Sequence, residues 1–318
     1  MGGLLRRPAI LIGAARSGTK MLAETLNRHP ELFVLREPTA VWRYGRAYSP
    51  TDLRPASDAR PAVCAYIRRA FEKELRASGK PRFAEKTPSN CLRMPFIHQV
   101  FPDALFLHLL RDGRDATASA VDTWKGMRDR SIRTPRQADT EKRPRGSLKW
   151  VAEFMGRVFK RKMHIDDWRS LLETPAYLPW AVGLARRHLL NSSKPLWGPR
   201  VPGLRHIRKT YPLLETCALQ WEACVRMAVG AGRQMEPNRY LEIRYEELVN
   251  NAPETTARAL QFLDLPYDER LLEEMTRHIR PYPLPKWPTV LSEEQLRRVE
   301  RLIGTALEQT GYPLAAKP

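Results

Sequence analysis

The sequence predicts an α/β fold: a central, mostly parallel sheet covered by helices on both faces and interrupted by a basic helical insertion. Three observations predict it. Short apolar runs that read as buried strands alternate with segments of helical spacing, as happens when parallel strands are joined by crossover helices. The runs end in glycine-bearing or charged loops, which puts functional loops at the carboxyl ends of strands. From residue 126 to about residue 201 the alternation gives way to arginine and lysine clusters, prolines and the tryptophans Trp150, Trp168, Trp180 and Trp197.

The first strand is Ala9-Ile10-Leu11-Ile12, which stops at Gly13, and residues 19–28 then place Met21, Leu22, Thr25 and Leu26 at helical spacing. Residues 32–35 read as a second strand, ending at Arg36-Glu37-Pro38, where proline stops regular structure and leaves Glu37 at a strand's end. Residues 62–75 are helical in pattern, 82–84 form a brief strand, Glu85-Lys86-Thr87-Pro88 is expected as a loop, and a helix follows near Phe96. Residues 104–110 are the clearest buried strand. It closes on Arg111-Asp112-Gly113-Arg114-Asp115, with residues 116–124 helical.

Beyond the insertion, residues 212–235 resume a helix that turns Leu213, Leu214, Cys217, Trp221, Cys224 and Val225 inward. Tyr240-Leu241-Glu242-Ile243 makes a further strand, and residues 252–263 a helix. After the proline-rich residues 281–288, Ser292-Glu293-Glu294-Gln295 has the form of a capping box, and Leu296, Val299, Ile303 and Leu307 complete an amphipathic helix. The whole reads as one domain, residues 1–318, with residues 126–201 inserted in it.

Composition bounds what such a domain does. A chain of 318 residues that is 42% hydrophobic can bury a core, which excludes global disorder, while 27 prolines imply many loops. A formal charge of +19 draws polyanions: nucleic acid, anionic lipid, acidic glycans or nucleotide phosphates. Most of the surplus lies between Lys125 and Glu215, where it serves a partner or is simply a solvated face. The cysteines, Cys64, Cys91, Cys217 and Cys224, form no C-x-x-C pair and have no metal-type spacing with histidine, so neither a zinc site nor a disulfide framework is expected. The opening residues lack the pattern of a signal peptide, and the apolar stretch around residues 177–185 is broken by Pro179 and too short to cross a bilayer. A cytoplasmic location is expected, and peripheral contact with an anionic membrane stays open.

Gly13-Ala14-Ala15-Arg16-Ser17-Gly18-Thr19-Lys20 joins the first strand to the first helix, where free backbone N–H groups and the positive helix end hold phosphate. Arg16, Thr19 and Lys20 add donors, although an ordinary glycine turn also fits this spacing. The architecture is P-loop-like, with a difference. A triphosphate loop places a hydroxyl after its lysine to hold magnesium, and here that position is Met21, so no metal is expected. Arg111 at a strand end and Ser119 in the following helix offer a second anion site, unless R-D-x-R-D is only a salt-bridged turn.

R-S-G-T after the first strand, together with L-L-R-D-G-R-D-A-T-A-S, resembles the sulfotransferase family that uses 3′-phosphoadenosine 5′-phosphosulfate, and most closely its tyrosylprotein and glycan branches. The resemblance covers about residues 8–124 and, more weakly, 212–312. It implies a three-layer P-loop-like fold and that sulfate donor as co-substrate. By resemblance Arg16, Ser17, Gly18, Thr19 and Lys20 bind the 5′-phosphosulfate end, and Arg111 and Ser119 the 3′-phosphate. Arg244-Tyr245-Glu246-Glu247-Leu248 looks like the family's late strand-to-helix turn, which brings Tyr245 to the nucleotide, and Lys286-Trp287 resembles its nucleotide-closing loop. Glu37 matches the catalytic glutamate of tyrosylprotein sulfotransferases and is the expected general base, unless it only pairs with Arg36 or Arg43. Lys86 resembles a lysine beside the transferring group. With Lys20 it would stabilise charge on the bridging oxygen without a metal, though it also reads as a plain surface lysine. His29, His98 and His108 read as structural.

Residues 126–201 depart from the family pattern and are expected to form a lid that binds the acceptor: a glycan, a peptide tyrosine, a lipid or a small metabolite with a hydroxyl group. The oligomeric state stays open. Two other classes compete, a kinase with an altered phosphate loop, which would need magnesium, and a non-catalytic nucleic-acid binder. For the second, no zinc-finger, RNA-binding or helix-turn-helix pattern is present, so no specific nucleic acid is expected.

Overall fold

The computed structural model describes residues 4–46, 49–132, 197–281 and 285–315, with the backbone alone for residues 126–132. The chain divides into two compact units, one of Met1–Glu37, Pro50–Thr123 and Gly198–Pro318, the other of Pro38–Ser49 and Trp124–Trp197. Most of the expected insertion, residues 133–196, lies outside the described residues.

The first unit opens with β1 (Ala9–Ile12), α1 (Thr19–Leu26) and β2 (Leu32–Arg36). In the second unit α2 (Thr39–Trp42) follows, and the edge of the Trp197 ring meets Trp124 at 6.5 Å between centroids. The first unit resumes with α3 (Pro61–Ser78), β3 (Arg82–Lys86), α4 (Met94–Val100), β4 (Leu105–Leu110) and α5 (Gly113–Ile132), whose end belongs to the second unit. After the undescribed stretch come α6 (Leu204–Thr210), α7 (Leu213–Gly232), β5 (Tyr240–Arg244), α8 (Tyr245–Asn250), α9 (Ala252–Phe262), α10 (Glu269–Thr276), α11 (Trp287–Val290) and α12 (Glu293–Gln309).

The five strands form one parallel sheet in the order β2-β3-β1-β4-β5. Residues of β1 and β4 are buried throughout, as a sheet covered on both faces requires. Alternate residues sort to the two faces. Leu11, Val34, Ala84, Leu107, Leu109 and Ile243 form one core with Leu22 and Leu26 of α1 and with Leu248, Ala259 and Leu260 of α8 and α9. On the other face Phe83 meets Phe71 of α3 at 5.1 Å between ring centroids. Burying a side chain of this size contributes about 1.5–3 kcal/mol.

Two boundaries differ from the sequence reading. β3 runs through Lys86, so Glu85 and Lys86 are strand residues rather than loop: Lys86 stands in register with Leu11 on one side and Arg36 on the other. Backbone pairing to two neighbours continues where the apolar pattern stops. α5 starts at Gly113, three residues earlier than its apolar spacing indicates, because the Asp112 carboxylate accepts from the Arg114 N–H at 2.9 Å and caps the helix. The capping box of α12 is present, with Ser292 N–H donating to Gln295 Oε1 at 2.9 Å and Gln295 N–H donating to Ser292 Oγ at 3.3 Å.

Candidate active site

Chain order sets the site. From β1 the chain moves to one side for β2 and β3, then to the other for β4 and β5, so β1 is the point where the winding reverses. Ligands of open parallel sheets bind at the carboxyl ends of strands at such a point. Here those ends carry the loop of residues 13–18 after β1, Lys86 at the end of β3, Glu37 just after β2 and Arg111 just after β4.

The loop after β1 is folded around unusual backbone. Gly18 has φ 87° and Arg16 φ 71°, the left-handed region that favours glycine. At Gly18 a Cβ would stand 2.3 Å from the Tyr245 ring, so the first turn of α8 packs directly on this glycine. No side chain caps the N-terminus of α1, which leaves that helix end to meet an anion. Thr19 is buried as the first residue of α1.

The second motif reaches this loop. Arg111 Nη1 donates to the Arg16 carbonyl at 2.9 Å, its guanidinium lies over the Tyr245 ring at 4.4 Å, and Arg16 Nε donates to Ser119 Oγ at 2.9 Å. Arg16, Gly18, Arg111, Ser119 and Tyr245, chosen from three separate stretches of sequence, therefore meet. Among the described residues Ser17 Oγ, on a residue only 1% exposed, and Arg111 Nε are buried with no hydrogen-bond partner. A buried donor left so costs about 1–3 kcal/mol, and an anionic ligand would satisfy both, so the residues fit a bound phosphate or phosphosulfate.

R-D-G-R-D is indeed salt-bridged, with Arg111 Nη2 lying 3.4 Å from Asp115 Oδ2. Arg114 pairs with Asp112 and with Glu300 of α12, each at 2.7 Å. Burial alone would lower this guanidinium, but the two carboxylates outweigh it and leave Arg114 above its ordinary value.

On the other side of β1, Lys86 Nζ donates to Glu37 Oε1 at 2.5 Å, and Glu37 N–H donates to the Lys86 carbonyl at 2.8 Å. The lysine side chain is 4% exposed and the carboxylate 57%, so an enclosed cation faces a partly exposed acid. Glu37 takes φ 56°, again left-handed. Fully buried Glu85 accepts from the Thr87 hydroxyl and the Asn90 amide, which fixes the turn after Lys86. Arg36 bonds to Glu24 at 2.9 Å, while Lys86 is a partner of Glu37.

The Lys20 side chain is 75% exposed and lies 3.7 Å from Glu24, one turn along α1. The Lys286 side chain is exposed, and its N–H donates to Asp115 Oδ1 at 3.0 Å. The sequence reading missed Asp115, the second acid of R-D-G-R-D. Its only signal is that it falls four residues after Arg111, the spacing of one helical turn. The histidines are structural where partners are present: His29 bonds the Pro266 carbonyl at 2.8 Å and His108 the Tyr240 hydroxyl at 2.6 Å. Cys91, Cys217 and Cys224 are buried and unpaired, and burial pushes the Cys91 and Cys217 thiols up to about 12. Among the described residues no cluster suits a metal ion and no helix is long and apolar enough to cross a membrane.

The profile described as the sulfotransferase family matches residues 8–171 and 185–269. Nodulation protein NoeE of Sinorhizobium fredii is 29% identical over 130 residues, which is 36% of this chain but only 31% of that protein's length. Sulfotransferase STF9 from Mycobacterium avium aligns over 98% of this chain and 79% of its own at 12% identity, with a TM-score of 0.53, a likeness of fold. A mouse sulfotransferase crystallised with PAP aligns over 97% of this chain and 86% of its own at 12% identity, with a TM-score of 0.46.

Proposed function

Because this chain belongs to the sulfotransferase family, whose profile runs through most of its length, we propose that it moves a sulfuryl group from 3′-phosphoadenosine 5′-phosphosulfate to an acceptor hydroxyl or amine. The observation that carries this reading is the meeting of Arg111 and Ser119 with Arg16. Two anion-binding loops in contact suit one nucleotide that is charged at both its 3′ and 5′ positions.

The donor supplies the sulfuryl group, whose bond to the phosphate oxygen breaks as the acceptor oxygen bonds to sulfur and adenosine 3′,5′-bisphosphate departs. Arg16, Ser17, Gly18 and Thr19 hold the 5′ end, with Tyr245 packed behind the glycine. Arg111 and Ser119 hold the 3′-phosphate. Glu37 takes the acceptor's proton on its open carboxylate, and Lys86, enclosed beside it, balances negative charge on the departing oxygen. Lys20 adds positive charge from the first turn of α1, and Lys286 from the late segment. The acceptor side belongs to the basic residues 126–201. Glycans, peptide tyrosines, lipids and small metabolites all carry a suitable hydroxyl.

Thermal denaturation tests the donor assignment. Adenosine 3′,5′-bisphosphate without magnesium should raise the melting temperature, and ADP or ATP with magnesium should not, because a ligand at about one hundred times its Kd stabilises by roughly 2.7 kcal/mol. Selective stabilisation by ATP with magnesium would turn the assignment toward a kinase.

A further inference from the structure

We propose that Asp115 is a positioning residue that links Arg111 to the backbone at Lys286 and Trp287, so that the order of that segment depends on a ligand at Arg111; this rests on the donor reading above. The Asp115 side chain is 1% exposed. Its Oδ1 accepts from the Lys286 N–H at 3.0 Å and the Trp287 N–H at 2.7 Å, and its Oδ2 accepts from Arg111 Nη2 at 3.4 Å. Arg111 in turn donates through Nη1 to the Arg16 carbonyl. The loop after β1, Arg111, Asp115 and the segment at 286–287 thus form one unbroken series of contacts.

Each link has a physical reason. Trp287 opens α11, a helix of four residues whose first amides have no partner within it. A carboxylate from α5 caps it across 171 residues of sequence. Arg114, pinned by Asp112 and Glu300, stacks over the Trp287 ring at 4.2 Å and holds the indole on the same helix. A buried carboxylate needs its cation, and Arg111 is the cation that also carries the unpartnered Nε. A ligand oxygen on Nε would fix the guanidinium, and through it the orientation in which Asp115 holds both amides.

Amide hydrogen exchange, with and without adenosine 3′,5′-bisphosphate, reads this directly in the full chain. In the wild type the ligand should slow exchange at Lys286 and Trp287. In Asp115→Ala both amides should exchange at least about ten-fold faster with or without ligand, while amides of β1 and β4 keep their protection. Asp115→Asn retains an acceptor for the two amides but lacks the charge that pairs with Arg111. It should protect them in the free protein and gain nothing from ligand, and it carries the test if the alanine variant does not fold.

In transfer assays the donor KM of the asparagine variant should rise about ten-fold, the scale of one lost hydrogen bond to a charged group, with kcat nearly unchanged. Ligand-induced protection that persists in Asp115→Asn, or protection lost equally in β1 and β4, overturns the proposal. If the wild type binds the bisphosphate, as judged by its melting temperature, without slower exchange at these amides, this inference alone fails. If it does not bind, the donor reading fails with it.

Discussion

Glu37 holds a left-handed backbone just beyond β2, a conformation that costs a residue with a Cβ about 1–2 kcal/mol. Its main chain and its carboxylate are both bonded to Lys86, so one residue of the neighbouring strand fixes both. Glu37→Gln keeps the shape and an acceptor for Lys86 but cannot take a proton at neutral pH. Its kcat should fall about 10²–10⁴-fold, while stabilisation by adenosine 3′,5′-bisphosphate stays at the wild-type level. A kcat within a few-fold of wild type would remove Glu37 from the role of base. The motifs made the grouping of Arg16, Arg111 and Ser119 legible in the sequence, because both motifs fall at or just beyond the ends of neighbouring strands. The Glu37–Lys86 pair was not legible as a pair. Forty-nine residues separate the two, and only the register of Arg36 with Lys86 across β2 and β3 joins them. Asp115 was hidden because an acid in a run of alternating charges looks like a solvated one.

At the scale of elements, each of the five strands among the described residues was expected from the sequence, but not where each stops. β3 extends over two charged residues because its hydrogen bonds to β1 and β2 do not depend on side-chain polarity. α5 starts early on the Asp112 cap and runs on to Ile132, beyond the point where apolar spacing gives out. On the far side of the undescribed stretch the first unit takes hold again. Arg200 N–H donates to Asp52 Oδ2 at 2.9 Å, and Gln220 Nε2 donates to the Pro199 carbonyl at 2.9 Å. A variant in which a short Gly/Ser linker replaces residues 133–196 keeps these anchors. It should retain the bisphosphate-induced rise in melting temperature and lose transfer. Loss of both together would take the acceptor role away from the insertion.

For the whole molecule, the sheet of the first unit carries a link between acid and stability. His108, in the middle of β4, is held down to about 4, first by burial; the Glu242 charge opposes this shift and Arg233 adds to it. Its only partner among the described residues is the Tyr240 hydroxyl, which itself donates to Glu242 at 3.0 Å. In the unfolded chain a histidine takes its proton near pH 6.5. Between about pH 6.5 and 4 the unfolded state therefore binds more protons than the folded one. Stability contributed by neutral His108 is complete above that window and is lost as the pH falls through it, by on the order of 3 kcal/mol. Urea unfolding of wild type and of His108→Gln across the window should show the steeper decline in the wild type, and parallel declines would remove His108 as the cause.

The strand order described above also bears on how such a protein can change. β1, whose own end carries the loop of residues 13–18, stands between the margin that ends in Glu37 and Lys86 and the margin that ends in Arg111, so the residues proposed for proton removal and those proposed for the 3′-phosphate descend from opposite flanks of a single strand. On the proposed assignment, a substitution that disturbs the ends of β2 or β3 should alter proton removal while the contacts that β4 and α5 offer the nucleotide are kept.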